Sequence, residues 1–194
     1  TTRLIRRQLE LLQRNPSDAD LLDLVRLIQR TTLKDHGIRN FSAASSTAGV
    51  GALPPPGTPP PTTGGGRGQG GPGSVHMQMG DLLLARFPSS DQALNREIAR
   101  LLAYWQTPGT VEELTAELSN PANDREQQLH YGEMLSFVEE GWDEPSIERM
   151  AAWLEKVHRE DWRGGASFAG SVNRMVDGFL AQVPAAQRET FASR

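Results

Sequence analysis

The sequence predicts an all-α protein in which an N-terminal helical hairpin and a C-terminal array of antiparallel helices flank a long linker. Two observations support this fold class. Apolar residues recur at the three- and four-residue spacing of amphipathic helices, and short breakers such as Asn120-Pro121 separate them. The apolar–polar alternation that marks a strand is nearly absent. We place the hairpin at 1–36, the linker at 37–80 and the array at 81–194.

The hairpin is predicted from two apolar stripes on a short turn. The first covers residues 4–12 and ends at Asn15-Pro16; Ser17 or Asp18 then caps a second helix that continues to about Leu33. Bases outnumber acids here, so the hairpin surface is predicted to be net basic. The bases are Arg3, Arg6, Arg7, Arg14, Arg26, Arg30, Lys34 and Arg39.

The linker is defined by composition. Residues 53–62 favour extended polyproline II, and residues 63–73 are a glycine-rich run that does not support a packed core. A segment of this length is expected either to separate two units or to lie along a partner. We predict that a partner recognises its polyproline II conformation. The prolines concerned are Pro54, Pro55, Pro56, Pro59, Pro60 and Pro61.

The C-terminal part divides into six predicted helices. The first, over 81–87, is short and apolar, and Asp91 caps the second. Thr110 opens the third with the pattern of a capping box. Asn123 caps a fourth helix that runs to Glu140. The last two begin at Pro145, a favoured first-turn residue, and after Gly165.

Composition excludes several classes of function. The net charge of −4 and the pI of about 5.6 argue against nucleic-acid binding. The chain has no cysteine, which excludes disulfides, Cys-ligated zinc and covalent c-type haem within it. No apolar run approaches the roughly 20 residues of a transmembrane helix. The start lacks an initiator Met and a signal-peptide core, so we expect a processed piece of a longer polypeptide.

Three patterns are formally compatible with ligand sites, but we favour a structural interpretation of each. The glycines of 66–71 match G-x-G-x-x-G, but that loop needs a preceding strand and a following helix, and here the match lies in a glycine tract, where it arises by chance. Glu155-Lys-Val-His158 has the spacing used twice in di-iron bundles and occurs once. Glu126, His130 and Glu133 share a helix face that solvation explains. We therefore predict no metal, no cofactor and no catalytic residue.

Two methionines follow the linker. Met77 and Met79, beside His76, offer soft ligands for copper or haem iron. Methionine more often packs into apolar surfaces because its side chain is flexible and polarizable. We predict that both methionines anchor in an apolar groove of a partner.

The tryptophans all lie in the C-terminal part. Trp105 and Trp153 fall on helix stripes and are predicted to be core residues, whereas Trp142 and Trp162 lie beside turns. We include Trp142 among the partner-binding residues.

Charge is the strongest functional signal in the sequence. Between Glu112 and Glu148 there are eleven acids and one base, Arg125. One interpretation is a solvated outer surface; the other is an acidic docking face for a basic partner. In the second interpretation the binding residues are Glu112, Glu113, Glu139 and Glu140.

Several segments of the array carry a family resemblance. They are Arg86-Phe-Pro-Ser-Ser-Asp91 with Asn95-Arg-Glu97 and Leu101-Leu-Ala-Tyr104, Glu126-Gln-Gln-Leu-His-Tyr131 with Glu140-Gly-Trp142, and Trp153-Leu154 with Gly164-Gly-Ala-Ser-Phe168. Together they resemble the HEAT-like helical region of large exported bacterial proteins that join a sorbosone-dehydrogenase-like propeller to helical repeats and a cytochrome c domain. The resemblance covers about residues 81–183.

The resemblance implies a HEAT-like scaffold, periplasmic or otherwise extracytoplasmic, near electron-transfer partners. We expect a non-catalytic subunit or fragment that binds other protein subunits, such as those of a cytochrome-containing or membrane-associated complex. The alternative is the helical-repeat portion of a dehydrogenase–cytochrome c enzyme whose catalytic domains lie outside this chain. The haem-binding C-x-x-C-H of that family is absent from the sequence.

The charge asymmetry leaves two arrangements open. The basic hairpin could attract the acidic span 112–148 and close the chain into one body. Alternatively, hairpin and array could face different partners, with the proline-rich stretch between them. We prefer the second arrangement, because polyproline II recognition costs little ordering entropy.

Overall fold

The computed structural model describes residues 2–35, 75–159 and 166–184, and every regular element within these ranges is an α-helix. The predicted all-α class is therefore confirmed. The eight helices are α1 (Thr2–Gln13), α2 (Asp18–Asp35), α3 (Val75–Leu84), α4 (Gln92–Trp105), α5 (Thr110–Leu118), α6 (Arg125–Leu135), α7 (Glu144–Arg159) and α8 (Ala166–Gln182).

The packing follows a regular order along the chain. Contacts join α1 to α3, α2 to α4, α4 to α6, α5 to α7 and α6 to α8, so most helices pack on the second helix along. Helix α4 lies at the centre, between α2, α3, α5 and α6. Its apolar stripe is fully buried, and each such side chain contributes about 1.5–3 kcal/mol of burial free energy. The stripe comprises Leu94, Ile98, Leu101 and Leu102.

Helix α4 begins where the sequence predicts. The Asp91 carboxylate accepts hydrogen bonds from the backbone N–H groups of Ala93 (2.8 Å) and Leu94 (3.1 Å), which otherwise have no partner in the first turn. The next helix start differs from the prediction. Gly109, in the left-handed region at φ 87°, precedes α5 without a side-chain cap, and Thr110 Oγ1 instead donates to Thr107 O at 2.6 Å. The predicted capping box is therefore wrong.

Two further boundaries differ from the prediction. Helix α3 begins at Val75 instead of 81, because the chain from Val75 packs against α1 and α4 and buries Met79. Helix α6 starts after Asp124, whose carboxylate accepts from the Gln127 N–H at 2.8 Å, and it ends at Leu135 instead of Glu140. The residues after Leu135 form a loop that reaches α7.

The hairpin shares the core of the remaining helices. Leu21, Val25 and Ile28 of α2 are buried, and α2 packs against α4. The Gln29 amide donates to the Glu97 backbone carbonyl at 3.0 Å and to its carboxylate at 2.9 Å. The hairpin and the array are therefore packed together, and their contact with different partners stays a prediction. The acid that meets the hairpin is Glu97, which lies outside the acidic span.

Several residues of the first segment that carries the family resemblance have structural roles. Arg86 donates to Asp18 Oδ1 and Asn15 Oδ1, both at 2.6 Å, and to Pro16 O at 3.1 Å. It therefore fixes the α1–α2 turn onto the end of α3. The next residue, Phe87, is buried, and its ring stands edge-on to Tyr131 at 5.7 Å. The Phe87-Pro88 peptide bond is cis.

Asn95 belongs to the same segment and lies in the first turn of α4. Its side chain accepts from the Ser89 N–H at 2.8 Å and donates to the Ser89 carbonyl at 2.9 Å. These two hydrogen bonds hold the loop before α4 against the helix that it opens.

Two separate sets of hydrogen bonds lie in the interior: one joins α4 to α6, and the other joins α6 to α7. Arg96 Nε donates to Gln127 Oε1 at 2.6 Å, and Gln127 Nε2 donates to the Tyr131 hydroxyl at 2.7 Å. Burial raises the pKa of Tyr131 to about 12. Trp153 Nε1 donates to Gln128 Oε1 at 3.1 Å, and the ring is buried, as predicted. Polar groups in this part of the core are thus paired, as burial requires.

Candidate functional site

The acidic span forms an exposed face around the start of α5, the α6–α7 loop and the start of α7. Glu112 and Glu113 lie in the first turn of α5, where the helix dipole favours negative charge. Glu112 is exposed and Glu113 is half-buried. They are the first of the carboxylates that make up this face.

The loop between α6 and α7 is fixed by one side chain. Gln106 Oε1 accepts from the Glu139 N–H at 2.7 Å, and Gln106 Nε2 donates to the carbonyls of Phe137 (2.9 Å) and Ala103 (2.7 Å). Gln106 itself ends α4 in the left-handed conformation at φ 53°. The loop that carries Glu139 and Glu140 is therefore held to the end of α4.

A glycine brings this loop next to α5. Gly141 has φ 88°, and a Cβ at this position would stand 3.7 Å from Val111 Cγ2. Because Gly141 follows Glu140 and Val111 precedes Glu112, the two predicted glutamate pairs lie at neighbouring positions. The structure thus brings together residues about 27 positions apart, since a left-handed turn sets the direction of the loop.

The start of α7 adds to the same face. The Asp143 carboxylate accepts from the Ser146 N–H at 2.9 Å, and hydrogen bonds from the Ser146 side chain and backbone lower the pKa of Asp143. Arg149, which directly follows the acidic span, donates from Nε to Thr115 Oγ1 at 3.2 Å. We call the resulting surface the acidic face. Its residues are Glu112, Glu113, Glu139, Glu140, Asp143, Glu144 and Glu148.

Other acids of the span have structural roles that the sequence did not reveal. Glu117 is buried and accepts hydrogen bonds from the amides of Asn120 and Asn123, the shorter at 2.7 Å. Asp124 caps α6, and Glu126 forms an ion pair of 3.6 Å with Arg96. Spacing alone gave no signal that these three differ from the exposed acids.

Trp142 is held inside the molecule. Its indole N–H donates to the Val138 carbonyl at 2.9 Å, and its ring centroid lies 5.7 Å from that of Phe179. The side chain is half-buried and joins the α6–α7 loop to α8. The polar group of Trp142 is therefore used within the chain, and the contact of its ring with a partner stays a prediction.

The two methionines differ in their surroundings. Met79 is fully buried in the core, so its predicted contact with a partner is wrong; the cause is that α3 begins at Val75. Met77 is half-buried on the same helix. The linker prolines predicted to bind a partner, Pro54 to Pro61, lie outside the described residues.

The histidine on α6 is enclosed by α4. His130 Nε2 lies 2.9 Å from the Arg96 carbonyl, and burial lowers the His130 pKa to about 4. Its helix neighbour Glu126 pairs with Arg96, as described above. Across residues 2–35, 75–159 and 166–184, no three His, Asp or Glu side chains are grouped so that they could hold a metal ion.

None of the helices in the described part of the chain combines the length and hydropathy of a membrane span. No protein family, curated protein or solved structure matches this chain. The resemblance to the HEAT-like region of exported bacterial proteins therefore depends on the sequence segments quoted above.

Proposed function

We propose that this chain is a non-catalytic helical scaffold that binds other protein subunits of a larger extracytoplasmic, electron-transfer assembly. The acidic face is the observation that carries the proposal. Its carboxylates are presented on a loop held by Gln106 and on the first turns of two helices. A rigid surface of one sign attracts and orients a partner of the opposite sign. The partner is accordingly a protein with a basic surface.

The packing order supports the finer description of the fold. Stacked helix pairs of the HEAT type bury each helix against its neighbours along the array, and the second-neighbour contacts of α4 to α8 have this pattern. We therefore describe the array as antiparallel and HEAT-like. Arrays of this kind present extended surfaces to other proteins.

The sequence resemblance supports the cellular setting. Exported bacterial proteins of the resembling family place their helical region beside a propeller and a cytochrome c domain. We propose a periplasmic location and a basic cytochrome-containing or membrane-associated subunit as the partner. If the same open reading frame encodes a propeller or C-x-x-C-H, the chain is instead the helical-repeat portion of a dehydrogenase–cytochrome c enzyme.

The acidic face is tested by neutralising it. Glu112→Gln/Glu139→Gln/Glu140→Gln removes charge without changing shape, and the affinity-tagged variant is purified from its native cells beside the wild type. We expect the recovery of co-purifying subunits to fall about tenfold at low salt, since several exposed ion pairs are lost. Asp177→Asn on the exposed side of α8 is the matched control. Undiminished recovery with the triple variant would contradict the proposal.

The prolines are tested separately. Deleting Pro54 to Gly73 removes the polyproline II segment, and we expect weaker assembly with unchanged melting of the helices. Raising the salt from about 0.05 M to about 0.5 M should also loosen the complex, because screening acts on exposed charges. Normal assembly of the deletion variant at both salt concentrations assigns the segment a spacer role only.

A further inference from the structure

The α1–α2 hairpin has a face that the core does not use. Leu4 is 44% exposed and Leu27 is 43% exposed, whereas Leu12, Leu21 and Ile28 on the same two helices are buried. A single exposed leucine is ordinary on a protein surface. Two of them on one small hairpin create an apolar surface between two helices.

The two leucines occupy equivalent positions. Leu4-Ile-Arg-Arg-Gln8 in α1 matches Leu27-Ile-Gln-Arg-Thr31 in α2, and Gln8 Nε2 donates to Thr31 Oγ1 at 3.0 Å. Each leucine lies one helical turn before the residue that forms this hydrogen bond. Because the short turn makes the helices antiparallel, the leucines lie on opposite sides of the bond, about 12 Å apart along the hairpin. They therefore mark the two ends of one seam.

Exposed arginines lie on the same two helices. Arg3, Arg6 and Arg30 are exposed, and none of them forms an ion pair with a carboxylate of the described residues. Arg7 is also exposed and pairs with Glu10 at 2.7 Å. An apolar centre with a charged rim is the usual anatomy of a protein–protein interface. We call this surface, formed by Leu4, Leu27, Arg3 and Arg30, the basic seam.

The acidic face has the complementary composition. Phe137, 36% exposed, completes the set of exposed large hydrophobic residues among the described side chains, and it lies beside Glu139 and Glu140. One surface of the molecule thus combines leucines with arginines, and another combines a phenylalanine with glutamates. We propose that the basic seam of one molecule binds the acidic face of a second copy of this chain, head to tail. This inference rests on the proposed use of the acidic face as a binding surface.

Charge repulsion disfavours a symmetric contact between two basic seams. Two basic seams facing each other would oppose their arginines, and like charges in an interface are unfavourable. The contact therefore joins a seam to an acidic face, and two molecules joined by a single contact of this kind leave one seam and one acidic face open. Such a contact adds further copies until a ring closes or a filament grows.

The test uses two variants that each remove one surface. Leu27→Ser/Arg30→Gln removes one leucine and one charge of the basic seam, and Glu112→Gln/Glu140→Gln neutralises part of the acidic face. Sedimentation velocity of the wild-type chain should show oligomers that increase with concentration and decrease at high salt. Each variant alone should sediment as a monomer. An equimolar mixture should form a dimer and stop there, because one intact seam meets one intact acidic face.

The control is Arg174→Gln/Asp177→Asn, which changes two exposed charges on α8 and should oligomerise like the wild type. Circular dichroism of every variant verifies that the helices are intact. A wild-type chain that stays monomeric up to about 1 mM overturns the inference, as does a variant mixture that does not dimerise. If the wild type is monomeric but neutralising its acidic face still reduces the recovery of co-purifying subunits, the proposed function holds without self-association. A monomeric wild type that binds phosphatidylserine vesicles would instead assign the seam to a membrane surface, provided that Leu27→Ser/Arg30→Gln abolishes this binding.

Discussion

The Arg86 guanidinium and the Asp18 carboxylate meet at 2.6 Å across 68 residues of sequence. The same guanidinium reaches the Asn15 side chain and the Pro16 carbonyl, so a single residue after α3 closes the turn of the N-terminal hairpin. Planar recognition of this kind suits arginine, whose donors are arranged in a rigid fork. This contact joins the start of α2 to the residues that follow α3.

The first prediction concerns this contact. Arg86→Ala removes three hydrogen bonds to the hairpin turn, and we expect it to lower the free energy of unfolding by about 1–3 kcal/mol in urea titrations. Arg86→Lys should recover only part of this loss, because an ammonium group cannot form the fork. Arg174→Ala on exposed α8 is the control, with a change within about 0.5 kcal/mol. Equal effects of Arg86→Ala and Arg174→Ala would show that the contact does not stabilise the fold.

The second prediction tests whether hairpin and array unfold together. Ile28 of α2 is fully buried, and Ile28→Ala should cost about 2–5 kcal/mol. Every tryptophan lies beyond residue 104, so tryptophan fluorescence reports only on the array. We expect Ile28→Ala to shift the fluorescence transition by as much as the far-ultraviolet circular dichroism transition. A fluorescence midpoint that does not move would mean that the hairpin unfolds independently.

The third prediction compares two glycines in α8. A Cβ at Gly178 would stand 2.8 Å from the Ser136 backbone oxygen, whereas one at Gly170 would meet only the end of Arg174 at 3.7 Å. Gly178→Ala should destabilise the fold by about 1–3 kcal/mol because the backbone must shift. Gly170→Ala should stabilise it by about 0.5–1 kcal/mol through helix propensity. Thermal melts of the pair should move in opposite directions, and a shift of the same sign for both would contradict this interpretation of the α6–α8 contact.

The fourth prediction concerns pH. Burial lowers the His130 pKa from 6.5 to about 4, so the unfolded chain takes up the proton first as the pH falls. The contribution of neutral His130 to the free energy of unfolding is therefore fully present above about pH 6.5. It decreases as the pH falls towards 4, by up to about 3 kcal/mol in total. His130→Gln should flatten the stability profile in this window, measured by urea midpoints. A stability profile that His130→Gln leaves unchanged would contradict this role of His130.

The sequence predicts helices well where their ends carry local chemistry. Asp91 was identifiable as a cap because its carboxylate serves N–H groups two and three residues away. The start of α3 at Val75 was not predictable in this way. Its position depends on packing against α4 and against α1, which is distant in sequence, and the glycine-rich segment before it favours a linker assignment.

The acidic face was predictable only in part. A count of charges identifies an acidic span, but it treats Glu117 and Glu140 alike. Glu117 is buried because two asparagines on the α5–α6 turn supply donors to it, whereas Glu140 projects from a loop whose direction depends on Gly141. Contacts of this kind involve residues on different elements, so helical periodicity contains no information about them.

The hydrogen bonds of Gln106 have a consequence for how binding preference can change. This residue terminates α4 and also sets the position of the backbone at Phe137 and Glu139, although it is not itself part of the acidic face. A substitution at position 106 would therefore alter the spacing of the surface glutamates while leaving their number and identity intact. In a selection for altered partner preference, we expect changes at this position to recur beside changes at the glutamates themselves.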